Sequence, residues 1–154
     1  MDLPLFDEVA DVVRAMTPEE LGELKLRTHR RGIKVWFDTA KPPREHYEAQ
    51  LLARRHVDGK EGMALEIGFH AENPDEVHNR RAVAGIGGTE KTWRKILGPA
   101  AEVGEFYGAA NWRRVSEAWL EPDLEDPSLG FEVGSRLVDY LEAIEPARQA
   151  VEPS

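Results

Sequence analysis

Apolar positions along this chain follow two spacings, and each spacing predicts a different kind of element. Apolar residues three or four apart predict a helix over residues 3–16 and a short helix around Trp93 that Gly98 ends. The same spacing predicts a C-terminal helix that begins after Asp126-Pro127 and stops at Pro146. Helix-start signatures at Thr17-Pro18-Glu19-Glu20 and Asn73-Pro74-Asp75-Glu76 predict two more, running to about His29 and Ala84.

Strict alternation of apolar and polar residues predicts four strands, over residues 33–38, 45–56, 62–72 and 112–119. Lys41-Pro42-Pro43 ends the first of them, and the next two flank a turn-rich stretch and predict a β-hairpin. The order αα-βββ-αα-β-α predicts an α+β fold, with a mainly antiparallel sheet of about four strands and helices packed on one face. We expect one domain over residues 1–146 and a C-terminal tail over 147–154.

The predicted hairpin has one apolar face and one polar face, because side chains alternate along a strand. Pairing apolar with apolar residues, with a three-residue loop at 58–60, places Leu51 opposite Ile67. On the other face this register sets His46 opposite Glu72, and Glu48 opposite His70. A longer loop would change these partners without changing the face that they share.

Two interpretations of this polar face remain open. In one, imidazoles and carboxylates bind a divalent metal such as zinc or manganese, with Gly68 leaving room for a ligand. The candidate ligands are His46, Glu48, Glu66, His70 and Glu72. Glu48 and Glu66 would then be the candidate catalytic acid and base. In the other, the face is solvated and stabilised by pairs of opposite charge across the strands.

A dense basic stretch lies before and within the first predicted strand, and comprises Lys25, Arg27, His29, Arg30, Arg31 and Lys34. Basic residues at the C-terminal end of a helix complement its dipole, and they also hold phosphate or an acidic partner. Trp36 should share the polar side of its strand with Lys34 and Asp38, where it would line a pocket or a subunit contact. The predicted ligand-binding residues are Trp36, Arg30, Arg31 and Lys34.

Composition removes several classes of function. The chain has 154 residues, no cysteine and a net charge of −9, which excludes disulfides and thiolate chemistry and disfavours nucleic acid as a partner. We expect a cytoplasmic protein, since no apolar run approaches the roughly 20 residues of a membrane span and the N-terminus is acidic. The HExxH and GxSxG motifs are absent from the sequence, and its glycine-rich loop at residues 85–88 matches no nucleotide-binding pattern.

Two hypotheses about function follow from these features. The first is a non-catalytic binding or assembly module that needs no cofactor, and that uses the polar sheet face and the adjacent basic helix end. Its partner would be a protein, a small anionic ligand or a second copy of the chain. The alternative is a divalent-metal-dependent hydrolase with His46, Glu48, Glu66 and His70 in its site.

Overall fold

The computed structural model describes residues 4–37 and 43–150. Within them lie five helices: α1 (Pro4–Met16), α2 (Arg55–Asp58), α3 (Glu76–Gly87), α4 (Glu90–Leu97) and α5 (Leu129–Ala150). The described strands are β1 (Lys25–His29), β2 (Gly32–Trp36), β3 (Glu45–Ala53), β4 (Met63–Ala71), β5 (Glu102–Phe106) and β6 (Ala109–Leu120). Parts of the predictions above fall outside the described residues, on residue 3, Asp38, Lys41, Pro42 and residues 151–154.

All six strands join one sheet in the order β1-β2-β3-β4-β6-β5, and every pairing is antiparallel. The α+β class and the antiparallel sheet are therefore confirmed, although the sheet has six strands where about four were expected. The additional strands are β1 and β5, which form its two edges.

The core lies between one face of this sheet and the helices. Tyr47, Ile67 and Phe69 come from the central strands and are at most 1% exposed. They pack in one cluster with the apolar stripes of the long helices, including Val9 of α1 and Leu141 of α5. Helices α1, α3, α4 and α5 contribute to this cluster, so the face that they cover is the apolar face predicted for the hairpin.

The helix predicted over residues 17–29 is wrong. Only a short 3₁₀ turn, Glu19–Leu21, follows the capping signature, and Gly22 ends it with a φ of +123° that glycine adopts readily. Beyond this glycine the chain is extended as β1, with Leu26 packing against the core. The basic residues therefore lie on a β-hairpin, and the predicted basic helix end does not exist.

The prediction that Pro146 stops the last helix is also wrong, because α5 continues to Ala150. Proline removes one backbone hydrogen bond from a helix interior. Side-chain contacts hold the following turn in place: Tyr47 donates a 2.8 Å hydrogen bond to Glu145, and Arg148 Nε donates one of 2.7 Å to the same carboxylate. Gln149 donates a further bond to the backbone carbonyl of Leu21.

Candidate metal centre

The polar face of the sheet is buried. His46, Glu48, Glu66 and His70 are at most 4% exposed, so the interpretation as a solvated surface is wrong. Part of the cover comes from the end of β5, where the ring centroid of Phe106 lies 4.7 Å from that of His70. Buried polar groups are destabilising unless they are paired, so the partners of these four side chains decide what the face does.

The register of β3 and β4 differs by two residues from the prediction. His46 lies opposite His70, Glu48 opposite Gly68, and Gln50 opposite Glu66. The difference arises because the connection is longer than three residues and begins with α2. A shift of two preserves the face of every side chain, so the polar set was predicted correctly although its cross-strand partners were not.

Four side chains of this face converge on one point. His46 Nε2 lies 3.0 Å from Glu48 Oε1 and 3.4 Å from Glu72 Oε2. His70 Nδ1 lies 3.4 Å from Glu48 Oε1 and 3.2 Å from Glu72 Oε2. One ligand atom from each of the four lies within 4.8 Å of the others. We call His46, Glu48, His70 and Glu72 the quartet.

The spacing within the quartet fits a small divalent cation. Ligand atoms about 2.0–2.1 Å from a tetrahedral zinc ion are separated from one another by about 3.4 Å. The four nitrogen–oxygen distances given above, 3.0–3.4 Å, are close to that separation, and the bound on all six pairs of ligand atoms is 4.8 Å. Two imidazoles and two carboxylates are also an ordinary donor set for zinc and manganese.

Glu66 lies behind the quartet and orients one of its histidines. Its Oε2 is 2.7 Å from His70 Nε2, the ring nitrogen that faces away from the other three ligands, and Gln50 donates a 3.1 Å bond to its Oε1. A carboxylate on the distal nitrogen of a ligating histidine fixes the tautomer and ring orientation. The structure thus places Glu66 outside the quartet, hydrogen-bonded to one of its histidines.

His29 supports the quartet from the edge strand and was missed as a site residue. Its Nε2 lies 3.0 Å from Glu48 Oε2, the carboxylate oxygen that the other histidines leave free. Across the sheet from His29 is Gly32, where an added Cβ would lie 2.9 Å from the Cβ of Gln50. Alternation within residues 25–29 was the signal for this strand, but the capping signature before it favoured a helix.

Gly68 does not leave room for a ligand, contrary to expectation. Its φ is +155°, and a Cβ there would lie 2.5 Å from the Cβ of Ser116. Strand β6 therefore occupies the space above this glycine. The consequence is a close approach of β6 to β4 where Gly68 pairs with Ser116.

The electrostatics of the quartet favour charged carboxylates. Burial raises the pKa of Glu48, but hydrogen bonds from His29, His46 and His70 outweigh it and hold this pKa far below its usual value. Burial opposes ionisation of Glu72 as well, and the bonds from His46 and His70 lower its pKa to about 2. The pKa values of both histidines are raised, since their carboxylate partners outweigh desolvation. The carboxylates thus stabilise positive charge at the centre of the quartet, and two protons or one metal ion would supply it.

One polar atom of the quartet has no partner. Among the described residues, His46 Nδ1 is a buried side-chain nitrogen that forms no hydrogen bond. A histidine that ligates through Nε2 carries its proton on Nδ1, so this atom would be a donor in a metal-bound state.

The other predicted ligand-binding residues separate into two groups. Lys34 lies directly opposite Glu48 and therefore on the polar face, and Trp36, two residues along β2, shares that face as predicted. Arg30 and Arg31 lie in the exposed turn between β1 and β2.

No protein-family model matches this chain, and neither a curated protein nor a solved structure does. Within the described ranges, no helix has the length and apolarity needed to cross a membrane.

Proposed function

We propose that this protein binds one divalent transition-metal ion, zinc or manganese, through His46, Glu48, His70 and Glu72. The observation that carries this proposal is the set of four nitrogen–oxygen distances of 3.0–3.4 Å within the quartet. The carboxylate of Glu66 on the distal nitrogen of His70 supports it, because such a partner fixes the orientation of a metal-ligating histidine.

Metal binding is better supported than metal-dependent hydrolysis. A catalytic zinc ion usually has three protein ligands and an open position, whereas four protein ligands are typical of a closed site. Glu48 and Glu66, the candidates for acid and base, have both carboxylate oxygens engaged by histidine or glutamine. Neither is free to accept a proton from a substrate or from water. The site thus fits the non-catalytic binding hypothesis, with a metal ion as the bound species.

A titration of chelator-stripped protein with zinc or manganese, read by metal analysis and thermal unfolding, tests the proposal. We expect one equivalent to bind. At 100 times the dissociation constant, a ligand stabilises the folded state by about 2.7 kcal/mol, which raises Tm by about 5–11 °C at this chain length. Failure of both ions to bind or to shift Tm would contradict the proposal.

Variants locate the ion. Glu72→Gln changes the ligand with the greatest side-chain exposure, 15%, and should weaken binding without unfolding the protein. His70→Ala should abolish binding. His78→Ala is the matched control, because His78 lies on α3 with its side chain 58% exposed. Equal zinc affinity in Glu72→Gln and His78→Ala would place the ion elsewhere.

A further inference from the structure

The end of β5 and the turn that follows it lie against the polar face of the sheet. We call residues 106–108 the tip. The ring centroid of Phe106 lies 4.7 Å from that of His70, a ligand of the quartet. On the other side of the tip, a Cβ added to Gly108 would lie 3.5 Å from Nδ1 of His56, in α2. The tip therefore contacts both the quartet and α2.

Solvent reaches little of the quartet in this arrangement. His46, Glu48 and His70 are at most 4% exposed, and the side chain of Glu72 is 15% exposed. Strands β3 and β4, which carry the first three, are paired on both sides, and the helices pack on the opposite face of the sheet. An incoming ion must come within bonding distance of all four side chains. Part of the cover on the polar face therefore has to move before the ion can bind.

The tip is a part of this cover that can move without disrupting the sheet. It belongs to an edge strand, and the regular pairing of β5 with β6 breaks just before it. The last regular pair is Glu105 with Arg113. The next is Phe106 with Ala109, which leaves residues 110–112 of β6 without a partner in β5. Edge strands and turns open locally at a lower free energy than the centre of a sheet, so opening of the tip should leave β3 and β4 intact.

The tip also borders the most exposed ligand of the quartet. Glu72 directly follows Ala71 of β4, and Trp112 directly precedes Arg113, the partner of Ala71. Glu72 and Trp112 therefore lie at the same end of the sheet. The ring centroid of Trp112 is 5.8 Å from that of Phe106. Displacement of Phe106 would thus expose more of the site at this end.

Arg114 fastens the tip to the sheet. Its Nε donates a 3.1 Å hydrogen bond to the backbone carbonyl of Glu105, and its Cζ lies 3.9 Å from the centroid of the Tyr107 ring. The same guanidinium donates a 3.0 Å hydrogen bond to Oγ of Ser116. Arg114 is 5% exposed, and a cation over an aromatic ring is attracted more strongly when it is shielded from water. These contacts hold the tip in the closed position.

We propose that the tip is a lid, held closed by Arg114, and that its opening admits the metal ion to the quartet and releases it. The inference rests on the proposed metal site. The tip supplies none of the four ligands. Loosening it should therefore raise the rates of uptake and release by similar factors, and the dissociation constant should stay nearly unchanged as long as the closed state remains the more populated one. A change that distorts the ligands would instead raise the release rate and weaken binding.

Stopped-flow measurements on Phe106→Ala and Tyr107→Ala test the inference. Uptake is measured by mixing chelator-stripped protein with zinc and a fluorescent indicator of free zinc. Release is measured by transfer of zinc from loaded protein to an excess of a chromophoric chelator. Metal content and circular dichroism are recorded first on the same samples. Both rates should rise about tenfold in Phe106→Ala, as expected for loss of a partly buried aromatic contact, and both should rise in Tyr107→Ala, which loses the ring that Arg114 contacts.

Phe131→Ala is the matched control, because Phe131 is 56% exposed on α5, on the helical side of the sheet. Its rates should equal those of the wild type. Tip variants that fold, hold zinc and exchange it no faster than this control overturn the lid and leave the metal site standing. Faster release with weaker binding and unchanged uptake also overturns the lid, since the tip would then only position the ligands. Wild-type protein that holds no zinc overturns both proposals.

Discussion

Glu66→Gln should weaken metal binding although Glu66 does not touch the ion. In the wild type its two oxygens accept from His70 and Gln50, at 2.7 and 3.1 Å, in a position with no solvent exposure. Glutamine has the same shape but one carbonyl oxygen, so one of the two donors would face an amide NH₂ group. The bond to His70 also loses its charge.

The expected magnitude follows from these contacts. A hydrogen bond to a charged group contributes about 1.5–3 kcal/mol and a neutral one about 0.5–1.5 kcal/mol, so the loss is about 1–2 kcal/mol. That corresponds to a decrease of roughly 5–30-fold in metal affinity, since 1.4 kcal/mol is tenfold. Loss of a carboxylate behind a ligating histidine typically weakens affinity by about 10–100-fold, which overlaps this range.

Competition for zinc against a chromophoric chelator measures this change on folded protein, with circular dichroism confirming the fold. Glu142→Gln is the control, because Glu142 is exposed on α5. Zinc affinity of Glu66→Gln within twofold of this control would refute the positioning role of Glu66. It would also remove the second observation that supports a metal centre.

Two predictions concern the scaffold, and both are read by chemical denaturation. Gly68→Ala should destabilise the protein by about 2–5 kcal/mol, because the added methyl group would clash with β6 and the φ of this residue is strained for alanine. Gly87→Ala is the control and should not destabilise the protein, because Gly87 lies on α3 with open space around it. Equal stability of the two variants would contradict the close approach of β6 to β4. Tyr47→Phe should lower the free energy of unfolding by about 1–2 kcal/mol, because it removes a hydrogen bond to the fully buried Glu145. An unchanged unfolding midpoint would show that this hydrogen bond does not anchor α5.

The faces of the central hairpin were predictable from the sequence, and its register was not. A period of two fixes the face of each residue whatever the loop length, so His46, Glu48, Glu66 and His70 were correctly grouped. Register depends on the conformation of the connection, and the short helix α2 has no strong local signature. The observed register sets His46 opposite His70, whereas the predicted one set His46 opposite Glu72 and Glu48 opposite His70.

Burial of the polar face could not be inferred from local pattern. A solvated face and a buried polar layer have the same alternation of residues, and the distinction depends on what covers them. Here Phe106 comes from a hairpin far along the chain, whose strand β5 contains few residues typical of strands. The edge strand β1 was not predicted for a different reason. A helix-start signature at Thr17 precedes it and favoured a helix, but Gly22 ends the helical turn after three residues.

The position of β3 and β4 in the sheet has a kinetic consequence. They are the third and fourth of six strands, and they carry three of the quartet residues, with Glu72 directly after β4. Backbone amides at the centre of a sheet exchange with solvent mainly through global unfolding, whereas edge strands open locally. The strands that carry these side chains therefore open less readily than the edges of the sheet, and an ion held by them should dissociate more slowly than one held by edge strands.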